Sequence, residues 1–236
     1  MRPLQLVVWP VDANGDQIRF DPASDAKPLL EKAFGFYCCY CESFHHNLQV
    51  EHLVSQDQDP NREGCWYNFL LACSRCNGKD NKSNHSVDFL AFHFPHKDNT
   101  LISFCYFEGG KVTVNPGLEA TEQEKARKLM KLVGLDKYPG NPEYVSISPK
   151  DQRWNVRQTQ WEFAQRKVVE FEKGGISTNS VVEFALQRGH FSIWFTLFAN
   201  HPDVREALIE AFKGTAKDCF DPTNGFNPIP RPRNQT

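Results

Sequence analysis

The chain has 236 residues, 40% apolar and 24% charged, with 19 Phe and 5 Trp available to fill a core, an ordinary globular composition for one large or two small domains. No stretch reaches the roughly 18 uninterrupted apolar residues of a membrane span, and no apolar signal core follows Arg2, which argues against secretion and makes the cytoplasm the expected location. The formal charge of −2 excludes a generally basic nucleic-acid binder, so any attraction to phosphate is local or supplied by a partner protein.

Leu4 to Trp9 reads as a β-like run, followed by the turn signal Asn14-Gly15. Residues 26–34 read as a short helix that enters a Cys-x-x-Cys knuckle. Leu48 to Val54 alternates apolar and polar positions, which predicts a short strand. Cys65 to Ala72 is apolar on more than one side and reads as helix or buried strand. A second knuckle follows, and Lys79 to Lys82 opens a further helix.

Leu101 to Phe107 and Lys111 to Val114, joined by Glu108-Gly109-Gly110, read as a β-hairpin. Glu119 to Val133 is predicted as a helix with Thr121 as N-cap, Glu124 completing a capping box and Gly134 closing it. Asp151 to Glu172 is read as a long amphipathic helix stopped by Gly174-Gly175. Ser180 to Gln187, Phe191 to Ala199 and Pro202 to Lys213 complete a helical tail, and Pro228 to Pro232 is expected to be extended or disordered. The resulting organisation is an N-terminal extension (1–25), a zinc module (26–98), a hairpin with a helical part (99–227) and a Pro-rich tail (228–236).

The eight cysteines, in a reducing compartment, point to metal before disulfides. Cys38, Cys41, Cys73 and Cys76 have the paired spacing of a closed tetrahedral zinc site. Structural zinc of this kind binds small peptides with roughly 10–16 kcal/mol, comparable to the net stability of a domain. Cys39 either packs internally or substitutes for Cys38, and Cys65, Cys105 and Cys219 are expected in the core.

A structural zinc does not by itself require the polar set beside the knuckles, namely Glu51, His52, Asn68 and Asn77. Phosphodiester hydrolysis does require such groups: an activated water, charge stabilisation on the phosphate and help for the leaving oxygen. An imidazole is suited to take the proton from water. Adjacent strand residues face opposite ways, so a motif that uses both Glu51 and His52 must place them at a strand end or bulge.

The string Cys38-Cys39-Tyr40-Cys41, Val50-Glu51-His52-Leu53, Trp66-Tyr67-Asn68-Phe69-Leu70-Leu71 and Cys73-Ser74-Arg75-Cys76-Asn77 resembles the HNH endonuclease family with its zinc-stapled ββα-metal fold. The resemblance implies an α+β chain in which this module precedes a mostly α-helical C-terminal part. It implies that His52 is the general base, that Asn68 steadies the loop and the base, and that Glu51 and Asn77 hold a catalytic Mg²⁺ or Mn²⁺. Zinc at the four cysteines would be structural. Two departures stand out: Asn77 replaces the family's usual His, and Asp80 occupies the place of a common lysine, so that Lys79 or Lys82 would have to meet phosphate. Arg62, Arg75, Lys79 and Lys82 form either a local basic patch or a solvated face. His45 and His46 are expected in solvent, whereas Trp66, Tyr67, Phe69 and the run Phe191, Trp194, Phe195 and Phe198 are expected in the core.

A compact HNH module followed by helices resembles the HNH subunits paired with SMC-like ATPases in bacterial anti-phage systems such as Septu and some retrons. That implies a nucleic-acid substrate, DNA or RNA, and an ATPase partner docked on the helical part. The alternative is a non-catalytic zinc module that binds protein or nucleic acid.

Overall fold

The computed structural model describes residues 1–5, 7–78 and 87–232. It is a mixed α/β arrangement of helices and three small two-stranded antiparallel sheets. Helix α1 (Lys27–Phe34) has Pro28 in its first turn, where a missing N–H is harmless, and stops at Gly35 with φ 76°. It buries Leu30 and Phe34. Strands β1 (Gln49–His52) and β2 (Phe69–Ala72) pair in the register Gln49–Ala72, Val50–Leu71, Glu51–Leu70 and His52–Phe69. The ambiguous segment Cys65 to Ala72 thus resolves into a 3₁₀ turn, Trp66–Asn68, followed by a fully buried strand.

Helix α2 (Thr100–Ser103) is a single turn leading into β3 (Phe104–Tyr106), which pairs with β4 (Val112–Val114) as the hairpin predicts. Its strand is shorter than Leu101 to Phe107 because Asn99 accepts from the Leu101 N–H and starts the helical turn there. Helix α3 (Ala120–Val133) closes at Gly134, whose left-handed conformation a glycine adopts at least cost. The expected Thr121 cap is not formed. Helix α3 begins earlier, with Glu119 in the cap position and no side-chain cap bond, while Gln123 reaches back to the Pro116 and Leu118 carbonyls.

Helix α4 (Arg153–Glu172) corrects a second expectation. Its buried stripe is Arg153, Arg157, Gln160 and Ala164, at helical spacing but mostly polar, so it is not amphipathic in the apolar sense. Arg157 donates to the carbonyls of Gly110 and Leu135. Gly110 has to be a glycine here, since a Cβ would lie 2.0 Å from the Trp154 carbonyl oxygen. Helices α5 (Thr178–Arg188), α6 (Phe191–Leu197) and α7 (Pro202–Ala211) follow, with Ser177 capping α5. Phe191, Trp194, Phe195 and Phe198 are all buried, as their spacing predicts.

Among its described residues the N-terminal run forms no strand beyond a single antiparallel bridge from Leu4 to Thr215. Its backbone bonds to irregular segments on two sides instead, Leu4 N–H to Pro95 and Gln5 N–H to Gly214. Arg2 is buried and donates to the Phe34, Phe212 and Lys213 carbonyls, joining α1 to the end of α7. The Pro-rich end begins in a two-residue strand and has no assigned helix or strand from Ile229 to Pro232. Strands β5 (Phe220–Asp221) and β6 (Asn227–Pro228) pair, Asn99 bridges the Cys219 and Ile229 carbonyls, and Arg231 donates to Leu4. One continuous cluster of buried apolar residues runs from Met1 to Phe220. Among the described residues no helix is long and apolar enough to cross a membrane.

Candidate metal centre and the polar site beside it

The first knuckle is a tight turn between Tyr37 and Phe44, which form an antiparallel bridge. Within it Cys38 N–H bonds to Ser43, Glu42 N–H bonds back to Cys38, and Glu42 turns the chain with φ 62°. The Glu42 carboxylate, itself buried, accepts from the Ser192 N–H at 3.1 Å and the Ser192 hydroxyl at 2.7 Å, which fixes the turn against α6. In the second knuckle Asn77 N–H bonds to Cys73. Gly78 follows, where a Cβ would lie 2.8 Å from the Ser74 carbonyl oxygen.

These turns bring the sulfurs of Cys38, Cys41, Cys73 and Cys76 within 4.8 Å of one another, all buried. A tetrahedral ion with Zn–S bonds of about 2.3 Å requires sulfur separations of roughly 3.8 Å. Cys41 and Cys73 already stand 3.8 Å apart. The four residues fit a structural metal such as zinc. Hydrogen bonds from Cys38, Cys73 and Cys76 hold the Cys41 thiol well below its ordinary value, and contact with Cys38 first of all brings Cys73 down to about 6. Burial above all pushes the Cys38 thiol well up, and Cys76 is raised as well, so two of the four must give up a proton before all can bind a cation.

Cys39 is not in this set. It is buried, its N–H bonds to the Leu71 carbonyl, and burial pushes its thiol up to about 12. Cys219 is buried as expected, but Cys65 and Cys105 are only half-buried, because Cys65 precedes its 3₁₀ turn and Cys105 is the middle residue of β3, turned away from its two buried neighbours. His45 is not in open solvent either. The Cys41 thiol first, then Cys73, pushes its imidazole up to about 10. On another side Arg153 donates to Cys76 Sγ at 3.2 Å. Sequence reasoning missed both; only the pairing of His45 with a nearby knuckle was open to it.

Of the polar set, Glu51 and His52 face opposite sides of β1, and His52 is the strand's last residue. Glu51 is fully buried and accepts from the Tyr40 phenol at 3.3 Å. His52 is half-buried, stands edge-on to Phe69 with ring centroids 5.1 Å apart, and has Nε2 3.1 Å from the Glu63 carbonyl oxygen. A carbonyl can only accept, so Nε2 carries a proton, and in the neutral ring the lone pair is on Nδ1.

Asn68, buried, spans the loop between the strands. Its Oδ1 accepts from Val54 N–H, and its Nδ2 donates to the Val54 and Arg62 carbonyls. Asn77 Nδ2 donates to Gln49 Oε1 at 3.2 Å, which orients the Asn77 amide oxygen away from that contact. Gln49 and Glu51, two residues apart, share a strand face, so Asn77 lies on the Glu51 side and His52 on the other.

Arg75 is half-buried, and Arg62 pairs with Asp59 at 3.0 Å over the Phe89 ring. Lys79, Lys82, the helix expected to start at Lys79, and Asp80 lie outside the described residues. Trp66 and Phe69 are core residues, but Tyr67 is exposed and packs edge-on against Trp9, since 3₁₀ geometry turns it outward between two buried neighbours. No protein-family model matches the chain, and no curated protein is similar enough to match it.

Proposed function

We propose that the chain is a metal-dependent endonuclease of the HNH type that hydrolyses phosphodiester bonds in nucleic acid. The observation that supports this best is the state of His52. Its Nε2 proton is committed to the Glu63 carbonyl, so Nδ1 is the atom available to accept a proton from an attacking water. As the imidazole gains charge, the same carbonyl stabilises it. Asn68 holds that carbonyl's loop to the start of β2 through three hydrogen bonds, which makes it a positioning residue.

Glu51 and Asn77 supply a carboxylate and an amide oxygen, a donor set suited to a hard cation such as Mg²⁺ or Mn²⁺. Such an ion would stabilise charge on the scissile phosphate. The net charge of −2 supports a reading in which an ATPase partner brings the nucleic acid, as in SMC-type anti-phage complexes.

One observation favours a second reading, a non-catalytic zinc module. Glu51 is fully buried against Tyr40 and faces away from His52, as a purely structural carboxylate would, so the nuclease reading requires the end of β1 to turn the two toward one phosphate. The two readings part on plasmid DNA and total RNA incubated with Mg²⁺, Mn²⁺ or EDTA, with and without an ATPase encoded beside the chain. Metal-dependent cleavage that is lost in a folded His52→Ala variant is expected. Undiminished cleavage by that variant would overturn the mechanism, and no cleavage with zinc still bound would favour the second reading.

A further inference from the structure

Arg153 opens α4, 77 residues after Cys76, yet it is buried to 7% exposure against the cysteine cluster. A guanidinium has five N–H donors, and here each has an acceptor. Nε and one Nη2 proton go to the Asp151 carboxylate at 2.8 and 2.6 Å. The other Nη2 proton goes to the Gly134 carbonyl at 3.1 Å. The two Nη1 protons go to the Val133 carbonyl at 2.6 Å and to Cys76 Sγ at 3.2 Å.

The ion pair with Asp151 removes the cost of an isolated buried cation. The Val133 and Gly134 carbonyls are groups that the end of α3 leaves without helical partners. What remains is one strongly polarised N–H aimed at a sulfur of the metal set. A divalent ion held by four thiolates leaves an excess of negative charge on sulfur, and a donor at that distance draws charge away from it.

We infer that Arg153 is an outer-sphere residue of the zinc centre, and that through it the metal fastens the α3–α4 junction to the second knuckle. The inference does not depend on the nuclease reading. Lysine cannot replace arginine here, because an ammonium has three donors and no planar fork. Losing an outer-sphere partner typically lowers metal affinity by about 10–100-fold.

The test loads the full chain with Co²⁺ in place of zinc and compares wild type with Arg153→Met and Arg153→Lys. The thiolate-to-cobalt absorption band reports hydrogen bonding to sulfur, and zinc release to a chelating dye reports affinity. Arg153→Met is expected to shift the band and to weaken zinc retention by about 10–100-fold, with Arg153→Lys between. A control, Val204→Ala in the buried face of α7, is expected to lower thermal stability and leave the band in place. An unshifted band with wild-type zinc retention in Arg153→Lys, or in a folded Arg153→Met, overturns the inference. So does a wild-type chain that takes up neither metal, or a Val204→Ala band that moves as the Arg153 variants do.

Discussion

The phenol of Tyr40 donates to the Glu51 carboxylate across 3.3 Å, so a residue lying between two knuckle cysteines orients the proposed ligand of a different metal. The knuckle is itself fastened to β2 by the bond from Cys39 N–H to Leu71. Tyr40→Phe removes one oxygen and keeps the buried ring. We expect unchanged zinc content and a several-fold weaker affinity for Mn²⁺, followed by electron paramagnetic resonance on titration. Equal Mn²⁺ affinity in the two proteins would mean that the phenol contributes nothing to that site.

Stripping the four-cysteine cluster is expected to unfold more than the knuckles. Zinc binding of roughly 10–16 kcal/mol is comparable to a domain's whole net stability, and the apolar core runs without a break from the knuckles into the helical part. A strong chelator, or Cys73→Ser, should lower the midpoint of thermal unfolding by on the order of 20 °C. Circular dichroism should follow the loss as a single transition. Retention of the helical signal after loss of zinc would count against a shared core.

Asn68→Ala leaves the Val54 N–H and the Val54 and Arg62 carbonyls without their present partner inside the molecule. A buried group left unsatisfied costs about 1–3 kcal/mol. We expect a net loss of about 3 kcal/mol in urea unfolding, allowing for some relaxation of the loop. Asn68→Asp keeps the acceptor for Val54 N–H but sets a buried carboxylate against the Val54 and Arg62 carbonyls, so it should destabilise at least as much as Asn68→Ala. A loss below about 1 kcal/mol in Asn68→Ala would show that water replaces the amide freely.

Acid stability should depend on His96. Burial first, then Lys97 and Arg231, lowers its imidazole from 6.5 to about 3. The unfolded chain therefore binds this proton at a higher pH than the folded one does. Stability from this group is fully present above about 6.5 and is lost as pH falls toward 3, with a limiting slope of about 1.4 kcal/mol per pH unit. Denaturant unfolding at several pH values, for wild type and His96→Gln, should show a shallower acid slope in the variant. Parallel slopes would place the acid sensitivity elsewhere.

The parts of this fold that depend on near neighbours were legible in the sequence. The knuckles show as two Cys-x-x-Cys pairs, β1 as an alternation, and the end of α3 as Gly134, because each signal is complete within a few residues. The parts that depend on distant partners were not. The polar stripe of α4 has no apolar pattern to read, since Arg153 and Arg157 take carbonyl and sulfur partners from 19 to 77 residues away. Leu4 lacks a strand for the same reason, as its partners are loops from two regions. The polar motif could be read as a set of residues, but the opposite facing of Glu51 and His52 and the role of Tyr40 emerge only from the folded contacts.

The hairpin holds Glu51 and His52 on their respective sides by a register only four pairs long. Changes of chain length in this region are therefore tolerated unevenly. Residues 55–57 are exposed, and an insertion there lengthens a turn while both strands keep their partners. One residue added or removed inside β1 exchanges the two faces, carrying the imidazole to the Tyr40 side and the carboxylate toward Glu63. Among natural variants, drift in length should collect between Val54 and Asn68 and stop short of the strands themselves.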